Sequence, residues 1–385
     1  MACVLLVGCG ADLLLGLADA LGTASDGLNT VGTCLSDVEY TNLDDIFDLA
    51  VDATWTDGAV ILTDEAQDEL DAFYEASLPT DVIPLYRLNE RFYRVQAPAS
   101  GQAVRVDFVS NVAEWAYVYD GQHRQLAVLR AYNFDGQLRS VVIPPLATDS
   151  FYVRIILAHL SSTGEPLVSL SAVPATDSQL PRTQTVVLNM SGYAGLTFRT
   201  GILTSTTVAP VDDPIVREAV VRMFTEIYAP YDMLVLTDAD AASEGPYTTI
   251  HIGAADPSFG YNGLSEWVDG LNQAQDDAAI VDTTSDHLQL AALFGADAQG
   301  TAIGLVAAHE MGHLLGLEHT VDPDDLMTGM GCEGTGLDFE RFIARRFRTA
   351  DVQAVFSAAA THAMGHQDPD AHLLSVLGPA ENTAE

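Results

Sequence analysis

The chain has no lysine. All 16 of its basic residues are arginine, against 54 aspartates and glutamates, which leaves a formal charge of −38. Such a surplus repels phosphate backbones and anionic headgroups, and so argues against nucleic acid or an anionic membrane surface as a partner. Solubility in surroundings salty enough to screen self-repulsion accounts for the acidity better than a patch made for a basic substrate. Cysteine is scarce: Cys3, Cys9, Cys34 and Cys332 are the four, and no C-x-x-C pair exists to build a cysteine-based zinc knuckle. Long apolar runs are missing too. The stretch from Ala11 to Leu21 is interrupted by Asp12 and Asp19, which does not support a transmembrane span of about 20 apolar residues.

What is present suffices for folding. A length of 385 residues with 48% hydrophobic composition implies two or three domains, each with its own core. Residues 1–30 read as a leader and spacer. Within them Leu6-Val7-Gly8-Cys9 resembles the lipobox of bacterial lipoproteins. That resemblance implies acylation of Cys9, membrane anchoring through the lipid, and an extracytoplasmic, secreted or cell-surface location in a bacterium. A buried N-terminal helix accounts for the same residues nearly as well. If Cys3 leaves with the leader and Cys9 carries lipid, Cys34 and Cys332 remain as a candidate disulfide in an oxidising compartment.

Residues 31–84 read as a small helical region, from the helical spacing of Leu43, Ile46, Phe47 and Ala50 and a second acidic helix around Thr63 to Ala76. From 85 to 178 the pattern alternates, as in Val104, Val106 and Phe108 and in Trp115, Tyr117 and Tyr119, with Gly, Asp, Asn and Pro turns between runs. That is the pattern of an all-β sandwich, and it is similar to the pre-peptidase C-terminal domains found beside secreted bacterial proteases. Pro174 to Pro181 reads as a polar linker. A mixed α/β domain follows over 182–360. It has strands near Thr185–Leu188, Met233–Thr237, Thr248–Gly253 and Ala278–Asp282, and a helix opened by Asp213 and Pro214 whose apolar face includes Ile215, Val216, Ala219, Val220, Met223, Phe224, Ile227 and Tyr228. Residues 361–385 read as a C-terminal tail.

The main chemical signal is His309-Glu310-Met311-Gly312-His313-Leu314-Leu315-Gly316-Leu317-Glu318-His319. Residues four apart stack on one helix face, so His309 and His313 can aim two imidazoles at one point. Gly316 can end the helix in a left-handed conformation and return the chain, bringing His319 to the same point. Three nitrogens leave one zinc position open for water. Glu310 lies at another azimuth, where a carboxylate can take a proton from that water without binding the metal. A chance match of the five fixed positions has a probability on the order of 10⁻⁵, so the pattern is treated as functional. Isolated histidines such as His251 and His287 are read as core residues.

This pattern, with Met327 eight residues beyond His319 in Asp325-Leu326-Met327, resembles the metzincin zinc peptidases, closest to the matrixin type. The resemblance covers roughly 184–348. It implies one catalytic zinc on His309, His313 and His319, a Met turn at Met327, a polypeptide substrate and Glu310 as general base. It also implies an edge strand that binds extended substrate, here matched by Gly263, Leu264, Ser265, Glu266 and Trp267, with Leu264 offering a backbone donor. Thr320 stands where matrixins usually carry Ser, and a Pro-Arg-Cys-Gly switch sequence is missing. Acidic residues are too abundant for any calcium site to be assigned. The competing reading is an inert or single-partner adhesion protein that binds through the sandwich.

Overall fold

The computed structural model describes residues 47–380 except 64–66, 71, 73–88, 110–112, 131–137, 158–165, 179, 201–202, 204, 238–245, 258, 321, 330–338 and 353–364. The leader, Cys9, Cys34 and Cys332 lie outside the described residues, and so do the lipid and disulfide assignments. Among the described residues no helix is long and apolar enough to cross a membrane.

Period-two alternation builds the first half. Its strands are β1 (Val51–Ala53), β2 (Ala59–Thr63), β3 (Asn89–Gln96), β4 (Gln102–Val109), β5 (Ala113–Tyr119), β6 (Gln125–Arg130), β7 (Leu138–Ile143), β8 (Ser150–Leu157) and β9 (Pro166–Pro174). They form two sheets, β1-β3-β8-β5-β6 and β2-β9-β4-β7, antiparallel except where β1 lies parallel to β3. Val104, Val106 and Phe108 point inward with Val60, Leu62, Val118, Val153 and Ile155, giving an inter-sheet core.

The sandwich therefore starts earlier than the sequence pattern placed it. Ala59–Thr63 lies within the region expected to be helical, yet it buries Val60 and Leu62 and exposes Ile61 against β9. Its β-branched residues fit a half-buried pleat better than a helix. Only Asp68–Leu70 and Ala72 of the expected acidic helix are described as helical. The linker is also shorter than read, because β9 runs through Pro174 and passes directly into a 3-10 turn at Ala175–Asp177.

The second half contains β10 (Gln184–Asn189), β11 (Tyr193–Leu196), β12 (Thr206–Val208), α1 (Pro214–Tyr228), β13 (Met233–Thr237), β14 (Thr248–Gly253), β15 (Gly263–Ser265), β16 (Ala278–Asp282), α2 (Asp286–Ala292), α3 (Ala296–Leu314), α4 (Phe339–Ile343), β17 (Ala350–Asp351), β18 (His366–Gln367) and α5 (Pro369–Leu377). Its main sheet is ordered β13-β10-β14-β16-β15 and is parallel except for the edge strand β15. The Asp213 carboxylate caps α1 by accepting the Ile215 N–H at 2.8 Å, with Pro214 in the first turn. Ile215 itself is exposed and is not part of the buried face. Helices α1 and α3 approach closely because Gly300 and Gly304 present no side chain. A Cβ on Gly300 would run into the Val216 carbonyl, and one on Gly304 into Met223.

The segment expected to be a tail is an integral part of this half. Leu373, Val376 and Leu377 of α5 are fully buried, the Arg182 N–H donates to the Val376 carbonyl, and the Ala380 N–H donates to that of Pro230. The apolar spacing of His372, Leu373, Val376 and Leu377 is a one-face helical pattern, so burial rather than fraying follows.

The two halves meet on the outer face of β1-β3-β8-β5-β6, where Phe92, Trp115, Tyr117, Tyr119 and Val128 pack with Phe47, Leu70, Val268 and Val352. Gly270 lies so close to β6 that a Cβ there would overlap the Val128 backbone. In the same sheet Glu90 and Arg154 form a buried two-point ion pair at 2.6 and 3.0 Å.

Candidate metal centre

Helix α3 carries the first two imidazoles on its last turns. The helix ends in a paired cap: the Leu317 N–H reaches the Gly312 carbonyl and the Gly316 N–H reaches that of His313, both at 2.9 Å. Gly316 takes φ +97°, the left-handed conformation its place in the sequence required. A side chain there would also press on the Asp269 carbonyl and the Leu271 nitrogen. The turn returns the chain and brings His319 back to the helix.

The Nε2 atoms of His309, His313 and His319 then converge, at 3.1 Å from His309 to His319, 3.1 Å from His313 to His319, and 3.2 Å from His309 to His313. Among the described residues this is the one group of three or more His, Cys, Asp or Glu side chains that could hold a metal ion. Two tautomers follow from carbonyl acceptors. His309 Nδ1 lies 2.8 Å from the Leu326 oxygen and His313 Nδ1 lies 2.7 Å from the Leu317 oxygen, so both protons sit on Nδ1. Their Nε2 lone pairs consequently face each other, an arrangement that calls for a cation between them. Burial holds the His309 pKa down to about 4, which keeps the imidazole neutral and able to donate its lone pair. A tetrahedral zinc with nitrogens at about 2.0–2.1 Å separates its ligands by about 3.3 Å, and the observed spacing fits that donor set.

Glu310 is 1% exposed and points away from the triad's helix face toward β15. Its carboxyl and Cγ occupy the space a side chain on Gly263 would fill, so a glycine at that place in the edge strand makes room for the carboxylate. No sequence signal marked Gly263 for this task. Met327 is fully buried and is accommodated in the same manner, its sulfur filling the space left by Gly312 on α3. The Met327 carbonyl accepts the Thr320 N–H at 2.9 Å, and the Thr320 hydroxyl donates to Asp325 at 2.6 Å. Threonine thus serves as a buried hydroxyl donor at the position following His319. Burial raises the Asp325 pKa to about 6, against the hydrogen bonds from Thr320 and the Met327 and Arg348 amides.

Gly263–Ser265 forms the edge strand β15 beside β16, which changes the expectation for residues 263–267 in two ways. First, β15 ends at Ser265. Glu266 turns inward to pair with Arg199 at 2.9 Å, and Trp267 donates to Asp277 at 3.2 Å while lying under the Arg199 guanidinium. Second, Leu264 is not an outward donor. Asp282 N–H donates to Asn262 and Glu266 N–H donates to Ala278, so the residues that exchange bonds with β16 are 262, 264 and 266. Alternation leaves the backbone groups of Gly263 and Ser265 directed away from the sheet. Leu264 instead buries its side chain with Phe198, Phe259 and Ile280.

Sequence reasoning missed three further supports. Gln367 contacts the backbone of Glu318, His372 Nε2 donates to the Leu315 carbonyl at 2.8 Å, and the Asp269 N–H donates to the His313 carbonyl at 3.0 Å. None stands at a spacing that connects it to the motif. His251, read as a core residue, is buried on β14, its Nδ1 accepting from the Asn189 amide at 3.1 Å. His287 is half-buried.

Residues 261–333 match the family model described as matrixin peptidases. Among solved structures, the chain is similar to an archaemetzincin from Methanopyrus kandleri at 11% identity, covering 44% of this chain and 91% of that one with a TM-score of 0.27. A zinc-dependent peptidase from Methanocorpusculum labreanum is similar at 13% identity, covering 43% and 95%, with a TM-score of 0.25. Likeness at these scores carries no inference about fold or function. No curated protein matches the chain. The matched segment is metzincin-like, of the zinc-metallopeptidase kind.

Proposed function

We propose that the protein is a zinc-dependent endopeptidase that hydrolyses extended polypeptide, with Glu310 as general base. The observations that carry this reading are the three-imidazole cage and, on the helix that supplies two of its members, the buried Glu310 carboxylate packed against Gly263 of the edge strand β15. His309, His313 and His319 would hold the ion. When bound, zinc would polarise the scissile carbonyl and lower the pKa of a water it binds to about 7. Glu310 takes the proton from the attacking water and passes it to the departing amine, so one carboxyl serves as base and then as acid. The outward N–H and C=O groups of Gly263 and Ser265 pair with the substrate backbone and hold the scissile bond beside that carboxylate.

The same reading extends to location: a hydrolase of this kind belongs outside the cytosol, with lipid on Cys9 as the anchor. Mass spectrometry of the mature N-terminus tests that point, and an unmodified peptide containing Met1 and Cys3 would remove the anchor.

The mechanism is tested by Glu310→Ala. The variant keeps its zinc and its fold, while its rate on a denatured protein substrate falls by about 10² or more, the usual contribution of a general acid or base. Full activity in a zinc-loaded Glu310→Ala protein would refute the assignment.

A further inference from the structure

We propose that Gln367, itself held by the β17–β18 pair and by the turn between β5 and β6, is a positioning residue for His319. This rests on the zinc-peptidase reading. The first two imidazoles are placed by helix α3 and its cap. His319 stands beyond that cap, where no helical bond holds the preceding residue, Glu318.

The side-chain amide of Gln367 supplies what the helix does not. Its Oε1 accepts the Glu318 N–H at 2.7 Å and its Nε2 donates to the Glu318 carbonyl at 3.1 Å. One side chain thus satisfies both backbone groups of the residue next to the ligand, in the way a neighbouring strand would. Gln367 is 2% exposed and Glu318 1%, so no water substitutes for either bond. A neutral amide carries both the donor and the acceptor this contact needs.

Gln367 is held in turn from two sides. Strand β18 pairs with β17, whose neighbour Val352 donates to the Gly365 carbonyl at 2.9 Å and bridges to Thr320. On the other side the His366 N–H donates to the His123 carbonyl at 3.3 Å, and His366 bridges to Arg124 in the turn between β5 and β6. The Asp120 carboxylate fixes that turn, accepting the Gln122 and Arg124 amides at 2.8 and 3.0 Å and the Arg124 guanidinium. An unbroken chain of contacts therefore runs from the sandwich turn through β18 and Gln367 to Glu318 and His319.

The test uses the full chain stripped of metal, with zinc affinity measured by competition against a chromophoric chelator and backbone amide exchange followed at Glu318. Gln367→Met keeps the side-chain volume and removes both hydrogen bonds. Leu170→Ala in the sandwich core is the control for ordinary loss of stability, since Leu170 is fully buried on β9 and touches none of these groups. Gln367→Met should lose zinc affinity by about tenfold or more, the usual cost of removing a group that orients a ligand, and its Glu318 amide should exchange faster. Leu170→Ala should melt at a lower temperature and bind zinc like the unaltered protein. Unchanged affinity in Gln367→Met, or an equal loss in Leu170→Ala, would overturn the proposal. If Gln367→Met does not fold, Gln367→Glu, whose ionised form replaces the donor with a negative charge facing the Glu318 carbonyl, is read by the same two outcomes. Failure of the unaltered protein to bind zinc would overturn the metal reading itself, and is seen before any variant is compared.

Discussion

Both halves of the molecule bury polar groups, but they do so to opposite ends. In the sandwich the Glu90 carboxylate and the Arg154 guanidinium meet at two points, each satisfying the other. In the second half His309 and His313 spend their Nδ1 protons on carbonyls and turn their remaining nitrogens toward each other and toward His319. Burial is nearly the same in the two places, since Arg154 is 1% exposed and His313 1%. What separates a structural cluster from a ligand cage is whether its members complete one another. The sandwich pair is closed, whereas the triad turns three ring nitrogens toward one point, a geometry that a cation completes.

Breaking the closed pair should have the largest effect. Arg154→Met leaves a buried carboxylate without its partner, and should cost about 3–5 kcal/mol in denaturant unfolding of the metal-free protein. Adding Glu90→Leu should recover most of it, because the uncompensated charge is then gone. An Arg154→Met protein as stable as the parent would show that the pair is not closed as described.

A smaller effect is expected at His251, a satisfied imidazole within the half that carries the cage. Burial depresses its pKa to about 4, below the unfolded value of about 6.5. The neutral ring is favoured in the folded state, so its contribution is fully present above about pH 6.5 and is lost as pH falls toward 4. Between those limits the parent should lose about 3 kcal/mol more than His251→Gln. Comparing the two cancels the opposing contribution of Asp325, whose raised pKa favours the folded state as pH falls from about 6. Parallel pH profiles for parent and variant would place His251 in solvent contact.

The smallest change in stability should come from the cage. His319 is half-buried and is the least enclosed of the three, so His319→Ala in metal-free protein should alter unfolding by no more than about 1 kcal/mol. Bound zinc should nevertheless disappear. A loss as large as that of Arg154→Met would mean that the triad is a closed structural cluster like the ion pair, and the contrast between the halves would fail.

Local periodicity made much of this architecture legible. The strands at β10, β13, β14 and β16, the capped start of α1 and the left-handed Gly316 each follow from a few adjacent residues. The histidine cage was readable for the same reason, since a helix and one turn bring all three ligands from an eleven-residue stretch. What stayed hidden depends on contacts between distant segments. Nothing near Gln367 signals that its amide will meet Glu318, and nothing near Gly263 signals that its missing side chain makes room for Glu310. The helical spacing of Leu43–Ala50 does not extend to β2, where Val60, Ile61 and Thr63 are β-branched and favour a pleat. The outward face of β15 lies one residue from the sequence expectation, because hydrogen-bond parity depends on the partner strand and not on the strand itself.

The cap of helix α3 is braced by His372, and the segment around α5 closes back onto Arg182 and Pro230. This has a consequence in time as well as in space. A ribosome adds about 5–20 residues per second, so the 48 residues from His319 to Gln367 take roughly 2 to 10 s to appear. Throughout that interval the growing chain already carries every residue of the cage but lacks the strand and helix that brace it. The sandwich, whose strands all precede β10, has by then been made and can fold first. The order of synthesis thus delays the assembled histidine cage until its supports are in place.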